Sequence, residues 1–382
     1  MPEKNEQMTI VIVGHVDHGK STVIGRLLAD TGSLPEGKLE QVKALCARTS
    51  KPFEYAFLLD ALKDEQAQGI TIDAARCFFK TPKRHYLVFD APGHIEFLKN
   101  MVTGAAHAEA ALLVIDAKEG IQENSKRHGY LLGMLGVKQV TVIVNKMDLA
   151  GYSQKIFESI EREYRMFLSA QRVVPVSFIP IAALHGSNIA VRAPEMSWYK
   201  GPTVLEQLDR FENKTSLSEL PFRFPVQDIY KFTEDGDERR IAAGTVDSGN
   251  ISAGEEVVFL PSYKRAQIKS VEQFNAPETS RAAAGEAVGF TFSAQIYIKP
   301  GELMVRTSAA LPLVSTRFRA NIFWMGRAPF SKGKTYKLKL ASSRAQARLV
   351  EIAQVLDAAD LRQTTAKHQV ERHDVAEVLI ET

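Results

Sequence analysis

Eight residues near the N-terminus constrain this chain more than any others: Gly14-His15-Val16-Asp17-His18-Gly19-Lys20-Ser21. They fit the pattern G-x-x-x-x-G-K-[ST], between an apolar β-branched run at 9–13 (TIVIV) and a helical pattern over Lys20–Asp30. Strand, glycine loop and helix in that order form a cradle for phosphate. The glycines let the backbone curl until its N–H groups face the anion, and the helix N-terminus adds positive potential. Lys20 is placed to reach the β- and γ-phosphates, the Ser21 hydroxyl to ligate Mg²⁺, and Thr22 continues the loop into the helix. His15 and His18 read as packing or backbone-shaping groups rather than bases.

Apolar runs like 9–13 recur at 86–90, 111–116, 140–145 and 178–182, with helical patterns at 20–30, 96–107, 124–135 and 154–168 between them. That alternation predicts an α/β fold, doubly wound around a mainly parallel sheet with helices on both faces. After residue 211 the helical period fades. Short strands are predicted at 223–232, 240–246, 256–260, 266–274 and 287–292, and again at 317–325 and 335–340. The glycine-punctuated stretch 244–254 reads as tight hairpin turns. The expected organisation is a P-loop domain at 1–213 and two small antiparallel β-barrels at 214–313 and 314–382. A chain of 382 residues has room for about two to three domains.

Three further pieces follow the P-loop in an order that specifies the base. Asp90-Ala91-Pro92-Gly93 ends a strand, which places Asp90 beside the metal through water and the Gly93 N–H near the γ-phosphate. Asn145-Lys146-Met147-Asp148 ends another. There the Asp148 carboxylate can accept both N1–H and N2–H of guanine, an edge that adenine lacks. In Ala182-Ala183-Leu184 the backbone N–H of Ala183 is assigned to guanine O6. The nucleotide is therefore read as GTP with Mg²⁺. Thr71, in Gly69-Ile70-Thr71-Ile72-Asp73, is placed to add its hydroxyl to Mg²⁺ when the γ-phosphate is present and to withdraw after hydrolysis. His94, directly after Gly93, is the candidate catalytic residue, orienting the attacking water. Residues 58–68 have helical spacing, and their acids read as a solvated face.

Composition excludes several classes. Hydrophobic residues are 45% and charged residues 24%, the mix of a globular protein rather than a disordered or collagen-like one. No stretch approaches the roughly 18 to 20 apolar residues of a membrane span, and 1–8 lacks an apolar leader core, so a cytoplasmic protein is expected. Cys46 and Cys77 fit no zinc spacing and suit a reducing compartment. There is no internal repeat of solenoid length. Residues 301–350 hold ten Lys or Arg and one acid, Glu302. Alternating strands expose every second residue, so this block reads as the wet face of a barrel, and with little aromatic interleaving nucleic-acid binding is the weaker interpretation.

Taken together, Gly-His-Val-Asp-His-Gly-Lys-Ser, Gly-Ile-Thr-Ile-Asp, Asp-Ala-Pro-Gly-His and Asn-Lys-Met-Asp resemble the translation-factor class of GTPases. That class includes elongation factors 1-alpha and Tu, the selenocysteine-specific factor and the GTPase subunit of sulfate adenylyltransferase. The segments 57–62 and 65–73 and Lys126-Arg127-His128 are similar to the sulfate-activating branch, and 198–203 to both that subunit and elongation factor 1-alpha. The resemblance implies GTP hydrolysis that drives formation of adenylyl sulfate from ATP and sulfate on a separate adenylyltransferase catalytic subunit, as a heteromer. Two positions depart from that branch. His18 stands where the subunit commonly has a second aspartate, so the P-loop matches the elongation factors better, and Ala182 replaces the guanine-loop serine. The family's last barrel usually continues past Glu381-Thr382. The resemblance thus implies a shortened chain or the N-terminal part of a longer one, and some relatives continue into an adenylyl-sulfate kinase domain. Two other readings stay open: an elongation factor-type GTPase delivering aminoacyl-tRNA, and a GTP-gated scaffold with negligible turnover.

Overall fold

The computed structural model describes residues 7–49, 52–59, 76–90, 108–171, 173–212, 217–231, 239–273, 279–357, 363–364, 368–372 and 374–382. They form two compact units, 7–212 and 217–382.

The first unit is built on β1 (Gln7–Gly14), β2 (Arg76–Lys80), β3 (His85–Asp90), β4 (Ala110–Asp116), β5 (Gln139–Asn145) and β6 (Ser177–Pro180). They form one sheet in the order β2-β3-β1-β4-β5-β6. All neighbours are parallel except β2, which runs antiparallel to β3 at the edge. Along β1 the four consecutive residues Ile10, Val11, Ile12 and Val13 are all fully buried. Successive strand residues point to opposite faces, so both faces of the sheet are covered. On one face Met8, Ile10 and Ile12 share a cluster with Val23, Ile24 and Leu27 of helix α1 (Lys20–Asp30).

Among the described residues the other α-helices are α2 (Lys38–Arg48), α3 (Glu123–Met134), α4 (Gln154–Ala170) and α5 (Val204–Arg210). In α4 the buried residues Phe157, Ile160, Tyr164 and Leu168 recur at helical spacing, Phe167 is half-buried against Tyr164, and most of the rest of that helix faces solvent. Gly129 lets α3 approach it closely, because a Cβ there would lie 2.6 Å from the Tyr164 hydroxyl and 2.7 Å from Leu168. Among the described residues no helix is long and apolar enough to cross a membrane.

The second unit holds two sets of antiparallel strands. The first uses β7 (Arg223–Lys231), β8 (Arg240–Thr245), β9 (Asn250–Ser252), β10 (Glu256–Leu260), β11 (Lys264–Glu272), β12 (Arg281–Ala283), β13 (Ala287–Phe292) and β14 (Leu303–Arg306). Six of them close a barrel, β10-β11-β13-β8-β7-β14, around Phe224, Phe259 and Phe290. The second set has β15 (Arg317–Phe323), β16 (Phe330–Ser331), β17 (Thr335–Leu340), β18 (Ser343–Asp357), β19 (Gln363–Thr364), β20 (Gln369–Val370) and β21 (Asp374–Glu381). Its main sheet runs β15-β21-β18-β17, and Val355 and Val378 of that sheet share a core cluster with Phe330 of β16. Among the described residues it is the first of the two sets that closes into a barrel.

The stretch 244–254 also differs from expectation. Gly249 and Gly254 take φ of 74° and 88°, as turns require, but they close no hairpin. Strand β9 pairs with β12, while β8 pairs with β7 and β13. These glycines carry the chain from one sheet to another. Local turn chemistry specifies the bend and says nothing about which strand follows alongside.

Candidate nucleotide site

The P-loop leaves the end of β1 and enters α1. Gly14 has φ 150°, and a Cβ on it would lie 2.4 Å from the Val114 carbonyl oxygen of β4. Gly19 has φ 88°, and a Cβ there would meet Asn145 Nδ2 at 2.4 Å. Both positions therefore need glycine, one to bring the loop against β4 and one to bring it against the end of β5. Asp17 adopts φ 62°, so three residues of the loop hold left-handed or strained backbone. His15 and Val16 are partly buried, Asp17 is exposed, and Ser21 and Thr22 are partly buried in the first turn of α1.

Lys20 is buried, and its ammonium donates to the carbonyl oxygens of Gly14 (2.9 Å) and His15 (2.7 Å). Burial lowers its pKa, while the carboxylates of Asp90 and Asp17 act in the opposite sense. Asp90 ends β3 in register with Ile12 of β1, near enough for its charge to act on Lys20. His18 is fully buried, with Nδ1 3.2 Å from the Val114 oxygen and its ring 5.1 Å from that of His15. Burial pushes its pKa down, which favours a neutral imidazole and supports a packing role. Beside this pair, His128 of α3 is buried and its pKa is lowered to about 3, first by burial and then by the charge of Lys20. Nδ1 of His15 and of His128 are buried and make no hydrogen bond among the described residues.

Asn145 joins the two halves of the site. Its Nδ2 donates to the His18 carbonyl at 2.9 Å, and its Oδ1 accepts the Ala183 N–H at 3.1 Å. The amide that sequence reasoning assigns to guanine O6 is therefore directed at Asn145. Lys146 has φ 59°. Met147 anchors the turn in the core, and its N–H donates to the Ile181 carbonyl at 3.0 Å. Asp148 follows on the partly open side, with Oδ2 3.7 Å from His185 Nε2. The structure thus brings together residues 14–22, Asp90, Asn145, Lys146, Asp148 and Ala183. Thr71, Gly93 and His94 lie outside the described residues.

Sequence reasoning missed Asp116, Glu119 and His185 as neighbours of the site. Only Asp116 left a trace, as a carboxylate ending the otherwise apolar run Ala-Ala-Leu-Leu-Val-Ile-Asp.

Residues 5–214 match the family model of the elongation factor Tu GTP binding domain, and residues 317–382 match that of the GTP-eEF1A C-terminal domain-like family. The chain belongs to the elongation factor Tu GTP-binding family. Its first unit is accordingly a GTP-binding domain, and the P-loop, Asn145 and Asp148 lie within the matched residues.

Among similar proteins, the bifunctional enzyme NodQ of Rhizobium sp. (strain N33) is 37% identical over 96% of this chain. The chain spans 56% of the length of that relative. Sulfate adenylyltransferase subunit 1 of Alteromonas mediterranea is 35% identical over 96% of the chain and 77% of its own length. Elongation factor 1-alpha of Pyrococcus horikoshii is 36% identical over 84% of the chain and 76% of its own length.

Proposed function

We propose that this chain is the GTP-hydrolysing subunit of a sulfate-activating enzyme, coupling GTP turnover to synthesis of adenylyl sulfate from ATP and sulfate on a partner adenylyltransferase subunit. The observation that carries this reading is the extent of the likeness. Sulfate adenylyltransferase subunit 1 aligns over 96% of the chain, against 84% for elongation factor 1-alpha at the same level of identity. The wording of residues 57–73 supports the same branch.

In this reading the chain has a GTPase domain at 1–213 and β-domains at 214–313 and 314–382, and works in the cytoplasm. An adenylyl-sulfate kinase domain is the continuation expected of a longer form. The backbone of residues 14–19, with Lys20, takes the phosphates, and Asp148 selects guanine. Ala183 closes the guanine loop through its bond to Asn145. The glycine cradle and the buried ammonium of Lys20 suit a polyphosphate, and the partly buried Ser21 hydroxyl beside them suits its cation. Mg²⁺ held by Ser21, Thr71 and, through water, Asp90 would neutralise charge developing on the phosphates. Gly93 would face the γ-phosphate, and His94 would orient the attacking water.

A second reading, delivery of aminoacyl-tRNA, is favoured by the P-loop residue His18, which matches the elongation factors. One measurement separates the two. GTP turnover is followed with the adenylyltransferase subunit from the same source, with and without ATP plus sulfate, while adenylyl sulfate is assayed in parallel. Turnover that rises with ATP and sulfate, alongside product, is the expected result. No response there, with stimulation by ribosomes and aminoacyl-tRNA, moves the chain to translation.

A further inference from the structure

Asp116 closes β4 and is 2% exposed. Its Oδ1 accepts the N–H groups of Lys118 (2.7 Å) and Glu119 (3.2 Å), and the chain folds back until the Gly120 N–H donates to the Asp116 carbonyl at 2.9 Å. Its other oxygen, Oδ2, lies 2.7 Å from Lys146 Nζ. The backbone reinforces this pairing, because Asp116 sits opposite Asn145 between β4 and β5 and the Ala117 N–H donates to the Asn145 carbonyl at 2.8 Å. Burial works against the charge of this carboxylate. The Lys146 ammonium and the two amides outweigh it and hold the pKa below the usual carboxylate range, so the carboxylate is charged at neutral pH.

Lys146 needs such a partner. Its φ of 59° is a conformation that a non-glycine residue keeps only where the surroundings hold it. The same turn reaches the other half of the site. Glu119 Oε2 lies 3.4 Å from Nε2 of the buried His18, whose carbonyl is bound by Asn145. Residues 116 and 117 therefore hold the Asn145–Asp148 turn, Asp116 at Lys146 and Ala117 at the Asn145 carbonyl, and Asn145 in turn binds the P-loop at the His18 carbonyl.

We infer that Asp116 is a positioning residue for guanine-nucleotide binding, holding the Asn145–Asp148 turn through Lys146. This rests on the GTP reading above. Asp116 acts through Lys146: the ion pair keeps the left-handed turn in its binding conformation before nucleotide arrives. Without the carboxylate that conformation is a smaller fraction of the population, and apparent affinity falls by that fraction. GDP and GTP suffer equally, because the turn faces the base and not the γ-phosphate.

The test uses Asp116→Asn in the full chain, which keeps the side-chain volume and an acceptor for the two amides. GDP and GTP affinities are measured alongside thermal unfolding without nucleotide, in the wild-type and the Lys146→Gln backgrounds. The expected result is a loss of about tenfold for both nucleotides, with little further loss when Lys146→Gln is already present. Wild-type affinity in Asp116→Asn overturns the proposal, as do losses that simply add in the double variant. Should Asp116→Asn not fold, Asp116→Ser gives the same readout. If neither folds while Lys146→Gln does, the carboxylate serves the fold alone and the proposal fails. A wild-type chain that binds no guanine nucleotide overturns the GTP reading itself, and this inference with it.

Discussion

At the scale of single residues the site depends on buried polar groups with specified partners. In the proposed reading Asp148 is the one whose chemistry names a base, since the two oxygens of a carboxylate can each accept an N–H from one edge. Replacement Asp148→Asn removes that double acceptance and offers an N–H in its place. Preference is expected to move from guanosine to xanthosine nucleotides by at least about tenfold, read by competition binding; unchanged GTP preference would refute the guanine assignment. His128 supplies a pH dependence. Its pKa falls from 6.5 to about 3 on folding, so below 6.5 the unfolded chain binds a proton that the folded chain refuses. Its contribution is complete above pH 6.5 and is lost as pH falls towards 3, by at most about 1.4 kcal/mol per pH unit. His18, also lowered, acts in the same direction. The variant His128→Gln should flatten the fall of melting temperature over this range, and an unchanged slope would count against a buried neutral imidazole there.

At the scale of elements, local sequence was a good guide where periodicity was strong. Helix α1 and strands β10, β13 and β17 fall at their expected bounds, and α4 and β7 within two residues of them. Helix α2 was not legible: only Lys38, Val42 and Cys46 are buried on it, too sparse an apolar stripe to stand out. Strand β2 was missed because its buried residues, Cys77 and Phe79, are only two. The short helix α5 escaped for lack of length, but its start is well defined. Thr203 Oγ1 accepts the Glu206 N–H at 3.2 Å, and Glu206 Oε2 accepts the Thr203 N–H at 3.0 Å. This reciprocal cap holds a helix that carries the buried Val204 and Leu208. Thr203→Ala is expected to cost about 1 kcal/mol in denaturant unfolding of the first unit, with nucleotide affinity unchanged; a change in affinity at constant stability would place α5 in the site's machinery instead.

The whole molecule consists of two units, each with its own apolar core. Every residue of the candidate site that the structure describes belongs to the first. Ligand bound to the native form of one unit stabilises that unit by mass action. GDP at a hundred times its dissociation constant should therefore stabilise the first unit by about 2.7 kcal/mol. In calorimetry one of two transitions should move upward while the other stays in place. Equal movement of both would mean that the units unfold together despite their separate cores.

Contiguous residues alone encode the strand-loop-helix of the P-loop, the order of the guanine motifs and the change from helical to strand period after residue 211. Each depends on side-chain spacing over a few residues, which the chain carries wherever it goes. Folding settled which of those pieces meet. His18 reaches the carbonyl of a residue 96 positions away, Asn145 binds a carbonyl 127 positions away, and Asp116 finds Lys146 across two neighbouring strands. These partners follow from the strand order β1-β4-β5, and strand order is set by long-range packing of the sheet's buried faces rather than by any local pattern.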